Sequence, residues 1–167
     1  IIVSSMDYKK HNKYILIASS LYSIFVVILY TILAFIIFGS LTFSERGLLY
    51  ILNTFIFSFV ALCMALFIST LVKSKEAVSG IVNVVALSQA FLCGAFIPTM
   101  WLPESVIKIA HLLPAYWYIN TNDFLAELEV LSFTNLKPVW INMLVLIAFA
   151  VIFIILNNIA SRKKMVS

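Results

Sequence analysis

Four apolar runs, 14–38, 48–72, 77–98 and 139–160, divide the chain, and none contains Asp, Glu, Lys or Arg. A helix rises about 1.5 Å per residue, so each run can cross a hydrocarbon core about 30 Å thick. Polar residues collect at the junctions between runs. The pattern predicts an all-α, polytopic transmembrane helical bundle. Between the third and fourth runs it changes character. The stretch GAFIPTMWLPESVIKIAHLLPAYWYI, from Gly94 to Ile119, is broken by Pro98, Pro103 and Pro114. It is too interrupted to be one spanning helix and too apolar and aromatic to be an ordinary loop.

The break reads residue by residue. Pro98 lacks an N–H, and its ring clashes with the carbonyl four residues back, on Gly94, so the third span is expected to end there. Trp101 falls where interfacial aromatic residues are enriched. Pro103 and Glu104 suit the first turn of a helix. Glu104, Lys108 and His111 share one face at spacings of four and three, with Val106, Ile107, Ala110 and Leu113 mostly elsewhere on the cylinder. That helix stops before Pro114, and Ala115–Ile119 with Tyr116, Trp117 and Tyr118 supplies a second short arm. Two such arms make a re-entrant helical hairpin over 101–119, after the third visible span; its backbone has to be buried in protein. The alternative is a helix lying flat on the outer surface. Residues 120–138, with Asp123, Glu127 and Glu129, read as an external loop carrying a short helix.

Composition and charge sharpen the class. Hydrophobic residues make up 63% of the chain and charged residues 11%, far from the globular balance of roughly a quarter charged. Of the 11 basic residues, Lys9, Lys10, Lys13, Lys73, Lys75, Arg162, Lys163 and Lys164 fall on one side if the spans alternate. The positive-inside rule makes that side cytoplasmic, with residues 1–13 as a cytoplasmic connection and 161–167 as a cytoplasmic tail. No clustered basic patch supports a nucleic-acid partner. The chain is expected to begin partway through a longer protein. Cys63 and Cys93 sit at different depths, about 10 Å apart along the membrane normal, beyond disulfide reach.

Chemistry inside the spans is sparse. Ser79, Asn83, Ala86, Ala90 and Gly94 recur at three- and four-residue steps, giving the third span a face of small and weakly polar side chains. Asn53, Ser79, Asn83 and Gln89 either line a polar translocation path or join helices; joining is favoured because no charge accompanies them. No Gly-rich phosphate loop occurs, so nucleotide is not bound by that route. His11 and His111 fall on opposite sides of the membrane and cannot share a metal. Glu104 and His111, two turns apart on a surface stripe, make a poor hydrolytic pair, so an intramembrane enzyme is a remote alternative. The spans carry no ionisable acid, base or histidine, which weighs against an ion-coupled carrier or channel. Energy for active transport then has to arrive from a partner on the cytoplasmic face.

The order of span, GAFIP, LPESVIKIAHLLPAYWYI, acidic loop and last span resembles the membrane subunit of a type-2 ABC export permease, with Gly94, Pro98, Pro103 and Pro114 carrying most of the likeness. VSSMDYKKHNKYI resembles that family's cytoplasmic connection between its second and third spans. The resemblance implies that the four runs are the last four of six spans, and that the first two are absent from this chain. It implies an ATPase-partner contact at Asp7, Lys9, Lys10 and Lys13, within a coupling helix. It implies a hairpin near the exit built from Gly94, Pro98, Trp101, Pro103, Glu104, Lys108, His111 and Pro114. Two cytoplasmic ABC ATPase subunits holding ATP and magnesium, and a second permease subunit in a homo- or heterodimer, are the expected partners. This chain itself is expected to bind no cofactor or metal and to change no bond. A multi-pass protein of a bacterial cell membrane, exporting a drug-like, peptide or lipid substrate by alternating access, is the implied whole.

Overall fold

The computed structural model describes residues 8–72 and 74–166, with the side chains at 8–13, 15, 16 and 163–166 outside the description. Asp7, Lys73 and the side chains of Lys9, Lys10 and Lys13 therefore lie outside the described residues. Among those described the regular structure is helical throughout: α1 (Tyr8–Phe38), α2 (Glu45–Leu71), α3 (Lys75–Leu92), α4 (Glu104–Ala110), α5 (Pro114–Glu127) and α6 (Lys137–Val166). A lipid-embedded chain has to satisfy its backbone polar groups internally, and helices do this within one segment. Three helical stretches, Ile17–Phe43, Glu45–Leu71 and Lys137–Arg162, are long and apolar enough to cross a membrane.

The bundle is organised on α2 and α6. Asn53, Val60 and Phe67, with Ile56, Cys63 and Thr70, recur every seven residues along α2. Val139, Leu146 and Phe153, with Met143, Ala150 and Asn157, do the same along α6. Val60, Cys63, Leu146 and Ala150 form one buried cluster. Phe67 meets Phe153 with ring centroids 6.3 Å apart, and the Thr70 hydroxyl donates to Asn157 Oδ1 at 2.6 Å. A sustained seven-residue repeat on both partners is the pattern of left-handed, shallow-angle helix packing. The pairings advance together along both helices, so α2 and α6 run parallel.

Parallel neighbours require the chain between them to return. α1 runs antiparallel to α2 across a 3-10 turn (Gly39–Phe43), with Ser23 Oγ 2.5 Å from Ser58 Oγ. It stands at the edge: 6% of its apolar window is buried, against 28% for α6. α3 makes the return, starting at Ser74, whose hydroxyl accepts the Ala77 N–H at 3.3 Å as an N-cap. Three long passes and the shorter α3 thus bring the beginning of α1 and the end of α6 to the same end of the bundle.

Two boundaries differ from the sequence expectation. The third run was expected to stay helical to Pro98, but α3 stops at Leu92. Gly94 takes φ +106° there, and the N–H groups of Ala95 and Phe96 both fold back onto the Ala90 carbonyl at 3.1 and 3.2 Å. This is a Schellman-type stop with glycine at the left-handed position, and it acts before the proline can. The stretch 120–138 was expected to be mainly loop, but α5 continues through Glu127. Pro114 occupies the first helical turn of α5, where its missing N–H costs nothing. Asn120 and Asn122 then bond to other helices rather than ending their own.

Two glycines give a matched test. A Cβ at Gly47 would lie 2.2 Å from the backbone oxygen of Thr42, in the turn that precedes α2; one at Gly80 would meet nothing within 4 Å. Gly47→Ala should lower the thermal midpoint in detergent, consistent with an overpacking cost of about 1–3 kcal/mol. Gly80→Ala should leave it unchanged or raise it, because alanine is the better helix former by about 1 kcal/mol.

Candidate functional site

The hairpin 101–119 is where irregular backbone, polar side chains and exposed charge come together. It is assembled from the end of α3, all of α4 and the first half of α5, against the N-terminal half of α2. Cys93, Ala110 and Ala115 form its buried centre, with Phe57, Leu92, Leu113, Tyr116 and Ile119 packed around them. The two alanines are small enough to let α4, α5 and the end of α3 meet closely. Gly94 is needed for the same reason, since a Cβ there would approach Thr99 Cγ2 to 2.7 Å.

One stripe of α2 grips α5 by its backbone. The Arg46 guanidinium donates to the Leu128 carbonyl, the residue that ends α5. Tyr50 Oη donates to the Asn122 carbonyl at 3.2 Å. Asn53 Nδ2 donates to the Tyr118 carbonyl at 3.0 Å and to Asn122 Oδ1 at 2.8 Å. Phe57 stacks on the Tyr118 ring, with centroids 4.4 Å apart and planes 13° from parallel. Residues 46, 50, 53 and 57 share a helix face, while their partners run 128, 122, 118. α5 therefore runs antiparallel to α2, from alongside its middle to its N-terminal end. Both Nδ2 hydrogens of Asn53 face acceptors, which fixes its amide orientation and leaves Oδ1 buried without a protein partner.

α6 holds the other flank of α5. Asn142 Nδ2 donates to Asn120 Oδ1 at 2.9 Å, above a buried cluster of Leu125, Val139 and Met143. Partial desolvation lifts the Asp123 carboxyl above the usual carboxylate range, and Glu127 one turn later pushes the same way.

The outer surface of the hairpin is amphipathic and exposed. Glu104 and Lys108 pair at 4.0 Å with both side chains largely in the open, a geometry worth little by itself. His111 Nδ1 lies 2.6 Å from the Ile107 carbonyl, so that nitrogen carries the proton. The imidazole packs on Tyr116, and Trp117 Nε1 donates to the His111 carbonyl at 3.0 Å. Glu104 and His111 thus each have another partner, and the acid–histidine couple weighed from the sequence does not form in this arrangement. Pro98, Trp101 and Pro103 are exposed, Pro114 is buried, and Gly94 is half-buried.

The intramembrane polar residues separate into two groups. Asn53 and Gln89 are buried in contacts between helices; Gln89 Nε2 faces Met64 Sδ at 3.6 Å and its Oε1 accepts the Ala115 N–H at 3.3 Å. Ser79 and Asn83 are exposed, with Ala86 beside them, on an outward side of α3. Sequence reasoning passed over Arg46, Tyr50, Asn120 and Asn122 as site residues. The signal was present: Arg46, Tyr50 and Asn53 fall at steps of four and three, and Asn120 and Asn122 follow directly on the aromatic arm 115–119.

Residues 8–122, more than half of the chain, match the protein family described as ABC-2 type transporter. No curated protein and no solved structure matches the chain.

A double-mutant cycle on Asn53→Ala and Asn122→Ala should give a coupling of about 0.6 kcal/mol and no more than about 1.7, the range of interhelical bonds in membranes. Thermal unfolding in detergent measures it, and additive losses would mean the pair is not coupled. Asp123 tests the charge environment. Its folded pKa lies above its unfolded one, so the folded chain holds the extra proton and stability falls as pH rises through the carboxylate range. Asp123→Asn should therefore raise the midpoint at pH 7.5, and the gain should shrink when both proteins are measured near pH 4.

Proposed function

The chain belongs to the ABC-2 type transporter family, and from that premise we propose that it is the permease half of an ATP-driven exporter. Membership makes it a membrane-embedded transport component. The finer reading is that separate ATPase subunits supply the energy, a second permease completes the translocation route, and substrate leaves by alternating access. What carries this reading is the extent of the match, which runs through α1, α2, α3 and the hairpin and stops at Asn122. The family pattern thus covers the irregular segment as well as the helices that precede it.

The geometry supports a division of labour. α2, α5 and α6 are tied by hydrogen bonds and by the seven-residue seam. α3 turns Ser79, Asn83 and Ala86 outward. Weakly polar, small side chains exposed on a membrane helix are suited to a second permease or to a passing amphipathic substrate, because they allow close approach and offer hydrogen bonds at low cost. ATP binding at the partner would favour one of two conformations, and only such differential affinity can shift the balance between them. The connection carrying Asp7, Lys9, Lys10 and Lys13 is the proposed point of contact, and a drug-like, peptide or lipid molecule the proposed cargo. In this reading both ends of the chain face the cytoplasm of a bacterial cell.

Replacing Lys9, Lys10 and Lys13 together should lower substrate-stimulated ATPase activity of the copurified complex, with expression unchanged. Full coupling in that variant would remove the assignment. Cysteines placed at Glu104 and Lys108 should react with an impermeant maleimide added outside intact cells; reaction only from inside would invert the orientation.

A further inference from the structure

α3 is fastened differently from its neighbours. The residues that α3 turns inward are Val78, Val82, Val85, Gln89, Leu92 and Cys93, buried or half-buried. The valines have no polar group to offer, so the hydrogen bonding of this stripe is concentrated at the outer end. There, Gln89 and Cys93 lie one turn apart and meet the first turn of α5. That turn begins on Leu113, which has no side chain able to cap it, and on Pro114, which has no N–H. The Ala115 N–H goes to Gln89 Oε1. The Tyr116 N–H goes to the Leu113 carbonyl at 3.2 Å, and Cys93 packs against Ala110 and Ala115 in the buried cluster. One helix therefore caps the N-terminus of another through the Gln89 side chain.

The joint is made of weak bonds. At 3.3 Å the Ala115–Gln89 contact is longer than the usual 2.9–3.0 Å. A thioether sulfur is a weak acceptor, and the one on Met64 faces the Gln89 amide at 3.6 Å. Gln89 is only 5% exposed, so a poorly satisfied primary amide is enclosed in a low-dielectric site. Such a site holds its closed state by a small margin. α5 has stronger ties to α2 and α6, through Arg46, Asn53 and Asn142, so separation would carry α3 away and leave α5 in place.

We propose that Gln89 forms a releasable latch: from the outer end of α3 it caps α5 in the closed state and lets go when α3 swings, uncovering the Cys93 thiol packed beside it. This deepens the transport reading, in which α3 borders the route, but its test reads the joint itself. Labelling needs no nucleotide, substrate or partner, so either idea can fail while the other stands.

The experiment is alkylation by N-ethylmaleimide of the full-length permease in native membranes, followed by peptide-resolved mass spectrometry. Cys63 and Cys93 are both buried, at 2% and 0% exposure, and Cys63 lies within the α2–α6 seam. Cys93 should react at least about tenfold faster than Cys63, as local opening at a weak joint requires. Gln89→Leu keeps the bulk and removes both bonds; it should speed Cys93 by a further factor of about five and leave Cys63 unchanged. Gln89→Glu, protonated in apolar surroundings, keeps an acceptor and should stay within about twofold of wild type. Equal inertness of the two cysteines in wild type overturns the latch, and so does a folded Gln89→Leu variant whose Cys93 rate is unchanged. If that variant does not fold, the wild-type comparison decides alone.

Discussion

A backbone N–H or C=O without a partner in hydrocarbon costs several kcal/mol, and the rest of this structure follows from meeting that demand where the helix is broken. Between α3 and α5 the chain bends repeatedly, and each bend is closed locally. Ala95 and Phe96 share the Ala90 carbonyl, Trp101 bonds to Pro98, Leu102 to Thr99, Leu112 to Ile109 and Leu113 to Ala110. Three of the four prolines, Pro98, Pro103 and Pro114, stand in this segment, where they have no donor to leave unpaired. The donor at the start of α5 that cannot be closed locally, on Ala115, is met from another helix by Gln89. Broken backbone is tolerable here because each bend closes its own hydrogen bonds.

The same demand explains why the N-terminal part of α2 is polar. Tyr50 and Asn53 hydrogen-bond α5 at the Asn122 and Tyr118 carbonyls, which lie one turn apart on a single face. Arg46 places its charge on the carbonyl that ends α5, where the helix dipole favours a cation. Each interhelical bond is worth only about 0.6 kcal/mol on average, so the ladder does not hold the bundle together by strength. What it adds is register. Apolar packing of Phe57 on Tyr118 would tolerate sliding, whereas three bonds at fixed intervals would not. The seven-residue seam below them plays the corresponding part for α2 and α6.

Much of the architecture was legible from the chain. The long apolar runs, their junctions and the three prolines were enough to mark the long helices and the broken segment between the third and fourth runs. The misjudged boundaries were those decided by context. Pro98 and Gly94 both end helices, and sequence alone does not say which acts first; the carbonyl of Ala90, taken by two N–H groups, decides for the glycine. Asn120, Thr121 and Asn122 look like turn residues because their side chains compete for local backbone groups. Here Asn120 and Asn122 bond across to Asn142 and Asn53, and the helix continues. Gln89 reads from the sequence as a helix-joining or path-lining amide, but its partner lies 26 residues on, at the start of a helix. Nothing in local spacing encodes a cap supplied from another element.

The parallel course of α2 and α6 imposes a last constraint on how such a bundle can move. Two parallel helices joined by a tight seam force the intervening chain to recross, and α3 does so in 18 residues, about 27 Å, just short of the hydrocarbon thickness. The hairpin makes up the difference, so its fit against α3 and the position of α3 cannot be adjusted separately. A displacement of α3 that kept every bond would have to drag α5 against Asn53, Tyr50 and Asn142 together. A displacement that gave up the Gln89 contact would leave those bonds intact. The second course breaks fewer and weaker interactions, and it places the compliant joint of the fold at the meeting of α3 and α5.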